Sequence, residues 1–265
     1  MTWCWSKEPD VYYERCGRHD REAPAILFLH GLGSCADDFR PQLPALAADY
    51  RLLLVDLPGH GRSALPRARL SVEGMAAEVD RLLAHLDERA VHVVGLSLGG
   101  CVGLALALHA PARVRTLTLV NAFARLRPAD TGATLRMALR GLLLATAPMS
   151  AVAALVARSV FPRPEQDALR RAAAASLART SRRAYVAAAA ALTRFDARAS
   201  LERVRCPTMV VAGTDDRTVA IDAKDALARA IPGARWVVVP DSGHVTNADQ
   251  PAAFNAMLKE FLATR

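Results

Sequence analysis

Ser97 stands at the end of an apolar run, between glycines, in Val93-Val94-Gly95-Leu96-Ser97-Leu98-Gly99-Gly100. A G-x-S-x-G that ends a strand and opens a helix bends the backbone so sharply that the serine hydroxyl is thrust out at the top of a sheet, where it can attack a carbonyl. A glycine-rich helix start that cradles phosphate would need a different spacing, which this turn lacks. A serine hydroxyl is a weak nucleophile at neutral pH, so it needs a base, and the base needs a partner that fixes its tautomer. The sequence supplies both downstream: Asp215 and Asp216 follow the apolar run Met209 to Gly213, and His244 follows the last one, in Pro240-Asp241-Ser242-Gly243-His244. No grouping of His, Asp and Glu reads as a metal site, and no cofactor motif is present. Cys4, Cys16, Cys35, Cys101 and Cys206 are scattered without a C-x-x-C pair, which reads as reduced, packed thiols; Cys101, close to the elbow, reads the same way.

The elements that must position these groups come from the hydrophobic pattern. Ala25 to Ser34 and Arg51 to Ser63 each read as a buried strand running into a glycine turn, Val72 to Ala90 as an amphipathic helix, and Gly100 to Val114 as an apolar helix. Such alternation predicts β-α-β units around a mostly parallel sheet, an α/β fold. From 123 to 200 the texture changes to Ala- and Arg-rich segments with helical preference, predicting a helical cap inserted in a core of residues 1–122 and 201–265. Strand patterns return at Cys206 to Asp216 and Ala234 to His244, flanked by helices from Ala220 and Gln250. His30 and His60 read as turn residues bonding locally, and His19, His85, His92 and His109 as surface or satisfied groups.

The formal charge of +8 on 265 residues is concentrated. Between Arg125 and Arg205 there are 15 arginines against 5 acidic residues, while the rest of the chain is slightly acidic. With only Phe161, Tyr185 and Phe195 as aromatics there, the segment lacks stacking platforms for bases, and nucleic-acid binding is not expected. The apolar run Gly141 to Ala157 is short for a membrane span and contains Pro148, so none is expected. The N-terminal residues lack a secretory pattern, which predicts a cytoplasmic protein.

Five motifs in order, "HGLGS" at His30, "DLPGHGRS" at Asp56, "GLSLGG" at Gly95, "GTDDRTV" at Gly213 and "SGHVTNADQP" at Ser242, resemble the α/β-hydrolase superfamily, serine hydrolases with a helical lid, over nearly the whole chain. The resemblance implies Ser97 as nucleophile, His244 as base and Asp216 rather than Asp215 as acid, because the family's acid is usually the fourth residue from the loop glycine. Asp215 then reads as a solvated turn residue. Some relatives carry the acid after the preceding strand, where this chain has Asn121. The backbone N–H groups of Leu32 and Leu98 would form the oxyanion hole. An ester, thioester or lactone of a small-molecule acyl substrate is the implied target; a carbon–carbon bond hydrolase, enol-lactonase or perhydrolase would use the same residues, and a non-catalytic binder would usually have lost one. Leu142 to Leu144, Val152, Leu155 and Val156 would line an acyl pocket or pack on the core. Arg136, Arg140, Arg158, Arg170, Arg171, Arg179, Arg182 and Arg183 would offer a cationic surface to an acidic acyl carrier or another anionic substrate, unless the chain simply prefers arginine over lysine.

Overall fold

Among the described residues eight strands form one sheet in the spatial order β1-β2-β4-β3-β5-β6-β7-β8. The computed structural model describes residues 4–6, 11–126 and 131–264; residues 1–3 and 7–10 of the N-terminal stretch, 127–130 of the arginine-rich interval, and 265 lie outside it. β1 (Cys4–Ser6) and β2 (Tyr13–Gly17) are antiparallel to their neighbours. β3 (Ala25–Leu29), β4 (Arg51–Val55), β5 (Val91–Leu96), β6 (Val114–Val120), β7 (Thr208–Gly213) and β8 (Arg235–Val239) run parallel. No strand is predicted before Ala25, and the reason is visible in β2: its sequence, Tyr-Glu-Arg-Cys-Gly, carries two charges and no apolar run.

Among the described residues ten α-helices connect and cover the strands: α1 (Leu43–Leu46), α2 (Val72–His85), α3 (Leu98–His109), α4 (Thr131–Thr146), α5 (Met149–Val160), α6 (Asp167–Ala178), α7 (Arg182–Arg194), α8 (Ile221–Ala230), α9 (Thr246–Asp249) and α10 (Pro251–Ala263). Every residue of β3, β5 and β7 is buried, as parallel strands covered on both faces require. α2, α3 and α8 pack on one face of the sheet. α10 packs on the other, seating Phe254, Leu258 and Phe261 in one cluster with Phe28 and Phe39. Burying each such side chain contributes about 1.5–3 kcal/mol. α3 is buried almost all round and has no polar face, which fits a helix enclosed on all sides. Among the described residues no helix is long and apolar enough to cross a membrane.

Between β6 and β7 the described residues form four α-helices, α4 to α7, and no named strand, in line with the alanine content of this interval. An isolated bridge between Arg125 and Asp196 joins the two ends of this interval. Several contacts tie it to the strand-end turns, among them the Thr180 hydroxyl, which donates to the Gly33 carbonyl at 2.9 Å, and the His244 N–H, which donates to the Val160 carbonyl at 3.2 Å. Val152, Ala153, Leu177 and Tyr185 form a small core of the interval's own. Leu142 departs from its predicted lining or packing role, because it lies on the outer face of α4 and is 58% exposed.

Candidate active site

The turn between β5 and α3 has the shape its glycines predict. Ser97 holds φ +51° and ψ −110°, a conformation that side-chain-bearing residues rarely adopt and that costs about 1–3 kcal/mol. The surrounding structure enforces it: the Ser97 N–H donates to the Val120 carbonyl at 2.8 Å, and its own carbonyl accepts from the Cys101 N–H at 3.0 Å. Close packing explains the neighbouring glycines. A Cβ on Gly95 would lie 2.4 Å from the Gly99 carbonyl oxygen, and one on Gly99 only 2.0 Å from the Leu29 carbonyl oxygen. Cys101 is buried, its thiol pushed up to about 12 by burial and donating to the Phe123 carbonyl at 3.3 Å; it packs, as predicted.

Leu98 is the first residue of α3, where an N–H has no acceptor within the helix. Leu32 sits in the turn after β3. His30 clamps that turn. Its Nδ1–H donates to the Gly31 carbonyl at 2.8 Å, and its Nε2 accepts from the Leu57 N–H at 2.9 Å. Its reach across to the turn after β4 is longer than the local bonding predicted for it. His60 bonds locally to the Pro58 carbonyl at 3.2 Å, and His92 is satisfied by the Thr116 hydroxyl at 2.9 Å.

His244 and Asp216 come together from separate loops. His244 Nδ1 donates to Asp216 Oδ2 at 2.9 Å. The other carboxylate oxygen, Oδ1, accepts from the N–H groups of Thr218 at 2.7 Å and Val219 at 3.2 Å. The Asp216 side chain is 1% exposed. Burial pushes its carboxyl up, but His244 and Lys224 together outweigh burial and hold it well below the usual carboxylate range. Asp215 points elsewhere: it is one-third exposed and bonds Arg163 at 2.6 Å, which lowers its carboxyl.

The loop bearing His244 is pinned from behind. Asp249 accepts from the Gly243 N–H at 2.6 Å and the Ser242 hydroxyl at 2.9 Å. Asn121, at the end of β6, donates to the His244 carbonyl at 2.8 Å and to the Thr246 hydroxyl at 2.8 Å. Its own carbonyl accepts from the Gly213 N–H at 2.9 Å and from Lys224 Nζ at 2.9 Å. Lys224 also contacts Asp216 Oδ2 at 2.8 Å, with its side chain fully buried. Lys224 is missed by sequence reasoning although a signal exists: it shares the apolar face of α8 with Leu227 and Ala228, at i, i+3 and i+4, in a chain with only three lysines.

Ser97 and His244 face one cavity of about 460 Å³, within the usual range for a small-molecule site. Asp216 lies behind the imidazole. The cavity wall includes Leu32 from the β3 turn and Leu155, Val156 and Tyr185 from the helical interval. Arg136, Arg140, Arg179 and Arg217 also line it. Their neighbours in the arginine-rich interval are occupied elsewhere: Arg170 and Arg171 reach Asp167, and Arg182 donates to the Leu144 and Ala147 carbonyls.

Residues 24–251 match the family described as alpha/beta hydrolase fold. The chain belongs to this family. A relative from Stutzerimonas stutzeri named "Putative carbamate hydrolase RutD" is 35% identical over 263 residues, covering 96% of this chain and 97% of its own. The crystal structure of a hydrolase from Pseudomonas aeruginosa is 32% identical with a TM-score of 0.87, covering 98% of both chains. That of the enol-lactonase from Burkholderia xenovorans is 26% identical with a TM-score of 0.89, covering 98% of this chain and all of its own. These alpha/beta hydrolases have the fold that the five sequence motifs imply.

Proposed function

We propose that the protein is a serine hydrolase that cleaves a carboxylic ester, thioester or lactone through an acyl-serine intermediate, with residues 123–200 as a cap over the site. The observation that carries this reading is the 2.9 Å bond from His244 Nδ1 to buried Asp216, behind a cavity that His244 shares with Ser97 at its strained turn. With Nδ1–H committed to Asp216, Nε2 is left as the basic nitrogen. It takes the Ser97 hydroxyl proton as Oγ attacks the substrate carbonyl. The N–H groups of Leu98 and Leu32 meet the oxyanion that forms. The imidazolium then gives its proton to the leaving oxygen or sulfur, the acyl group stays on Oγ, and a water deprotonated by the same nitrogen releases the acid.

The second reading keeps these groups and changes the bond. An enol-lactone or a carbamate presents the same attackable carbonyl, and this chain is similar to proteins named for each. The cavity arginines favour an anionic substrate: among the described residues none of Arg136, Arg140, Arg179 and Arg217 forms a close ion pair with a carboxylate, Arg136 donates to the Arg217 carbonyl at 3.0 Å, and Asp215, itself bonded to Arg163, acts on Arg217 through its charge alone. An acidic acyl carrier remains the alternative partner of the outer surface. Turnover of p-nitrophenyl esters, an enol-lactone and a carbamate by the parent and by Ser97→Ala, with product analysis, tests the reading; activity of Ser97→Ala on the preferred substrate rejects it. On a neutral and a monoanionic ester, Arg140→Met is expected to lose roughly tenfold in kcat/KM on the anionic one alone. Equal salt sensitivity of both esters removes the preference for anions.

A further inference from the structure

We propose that Lys224 is a positioning residue of the same reaction, acting through Asp216 and Asn121 to hold the imidazole in place and to oppose its protonation. The proposal rests on the reading above, in which His244 is the base. Lys224 Nζ and His244 Nδ1 bond the same oxygen, Asp216 Oδ2, at 2.8 and 2.9 Å. Through its second contact, to Asn121 Oδ1 at 2.9 Å, Lys224 also reaches the amide that donates to the His244 carbonyl. The ring and the backbone of His244 are therefore tied to one ammonium from opposite ends.

Stability alone does not account for a lysine here. Burial pulls the Lys224 ammonium below its ordinary value, with Asp216 offsetting part of the effect. Replacing a buried ion pair by packed apolar residues is often neutral or stabilising, so such a pair is weak support for the fold. Its charge does matter to the base. With Lys224 protonated and Asp216 ionised the cluster is neutral while the imidazole is neutral, and a proton on His244 adds uncompensated positive charge. Without Lys224, the buried carboxylate is left alone with the imidazole and recruits a proton to it. The other charged groups around the imidazole are Asp37, Asp38, Arg136, Arg140, Arg179 and Arg217, which line the same cavity, together with Arg163, engaged by Asp215 and Asp241, and Asp249, engaged by Gly243 and Ser242; Lys224 differs from them in bonding the carboxylate oxygen that His244 also bonds.

The test is the pH profile of kcat/KM on p-nitrophenyl acetate for the parent and for Lys224→Met, Lys224→Gln and Lys224→Arg, with thermal melts to verify folding. The neutral variants should move the acid limb upward by about one pH unit, a roughly tenfold loss at acidic pH that shrinks in alkaline solution. Lys224→Arg keeps the charge and should leave the limb in place while lowering the plateau. The NMR titration of the His244 ring in a Ser97→Ala background should move in parallel. A folded neutral variant whose limb and ring titration coincide with the parent's overturns the proposal, since a merely structural lysine would move neither. Should neither neutral variant fold, Lys224→Arg decides: a limb in place supports the role and a displaced limb overturns it. Turnover by Ser97→Ala would instead reject the serine mechanism, so the two failures are separable.

Discussion

Both oxygens of Asp216 are occupied by donors, so its carboxylate has one orientation and is ionised at neutral pH. Asp216→Asn should therefore leave the fold intact yet cut kcat by about 10³-fold or more, because an amide at this position no longer selects the Nδ1–H tautomer. Asp215→Asn removes only a partly exposed contact to Arg163, of a kind worth about 1 kcal/mol or less, and should retain near-parental activity. Steady-state kinetics of the two variants checks the assignment; a crippled Asp215→Asn beside an active Asp216→Asn would move the acid by one residue. Ser97, His244 and Asp216 are legible in sequence because each sits at a strand end with a recognisable turn. Lys224 and Asn121 are not, since a lysine in a helix and an asparagine after a strand reveal their partners only when three strand-end loops meet.

The elbow is an element-scale device. Strand β5, helix α3 and the end of β3 approach so closely that one added methyl group at Gly99 would strike the Leu29 carbonyl. Gly99→Ala should destabilise the protein by about 3 kcal/mol and lower activity with it, whereas Gly141→Ala, where the added atom meets nothing within 4 Å on the outer part of α4, should be neutral or mildly stabilising. Urea denaturation of both variants measures the contrast; a silent Gly99→Ala would mean that the turn has slack. The parallel strands and α3 are readable from their unbroken apolar runs. β2, paired between β1 and β4, is hidden by the charges it carries, and the aim of helices α4 to α7 is unreadable because an amphipathic pattern shows which face is buried but not which element covers it.

For the molecule as a whole, acid should weaken the fold well before the carboxylates at the surface titrate. Burial, with the Arg115 charge adding to it, lowers His92 to about 4, and burial, with His30 adding to it, lowers His60 to about 3. Unfolded, both titrate near 6.5, so below that pH the unfolded chain binds more protons and stability falls, by up to about 1.4 kcal/mol per pH unit for each histidine. Asp216, lowered in the fold, adds a loss in the same direction once the pH drops below about 4. The urea midpoint should thus fall steadily from pH 7 to pH 4, and His92→Gln should flatten the slope; a midpoint constant over that range would contradict the buried, uncharged state of both rings.

An acyl-serine at Ser97 is tested by mass spectrometry of the protein after brief mixing with a p-nitrophenyl ester and acid quench. One added acyl group is expected, mapped to the peptide that contains Ser97 and absent from Ser97→Ala, which also fails to turn over the ester. An acyl group on another residue, or full turnover by Ser97→Ala, would contradict an acyl-serine at Ser97.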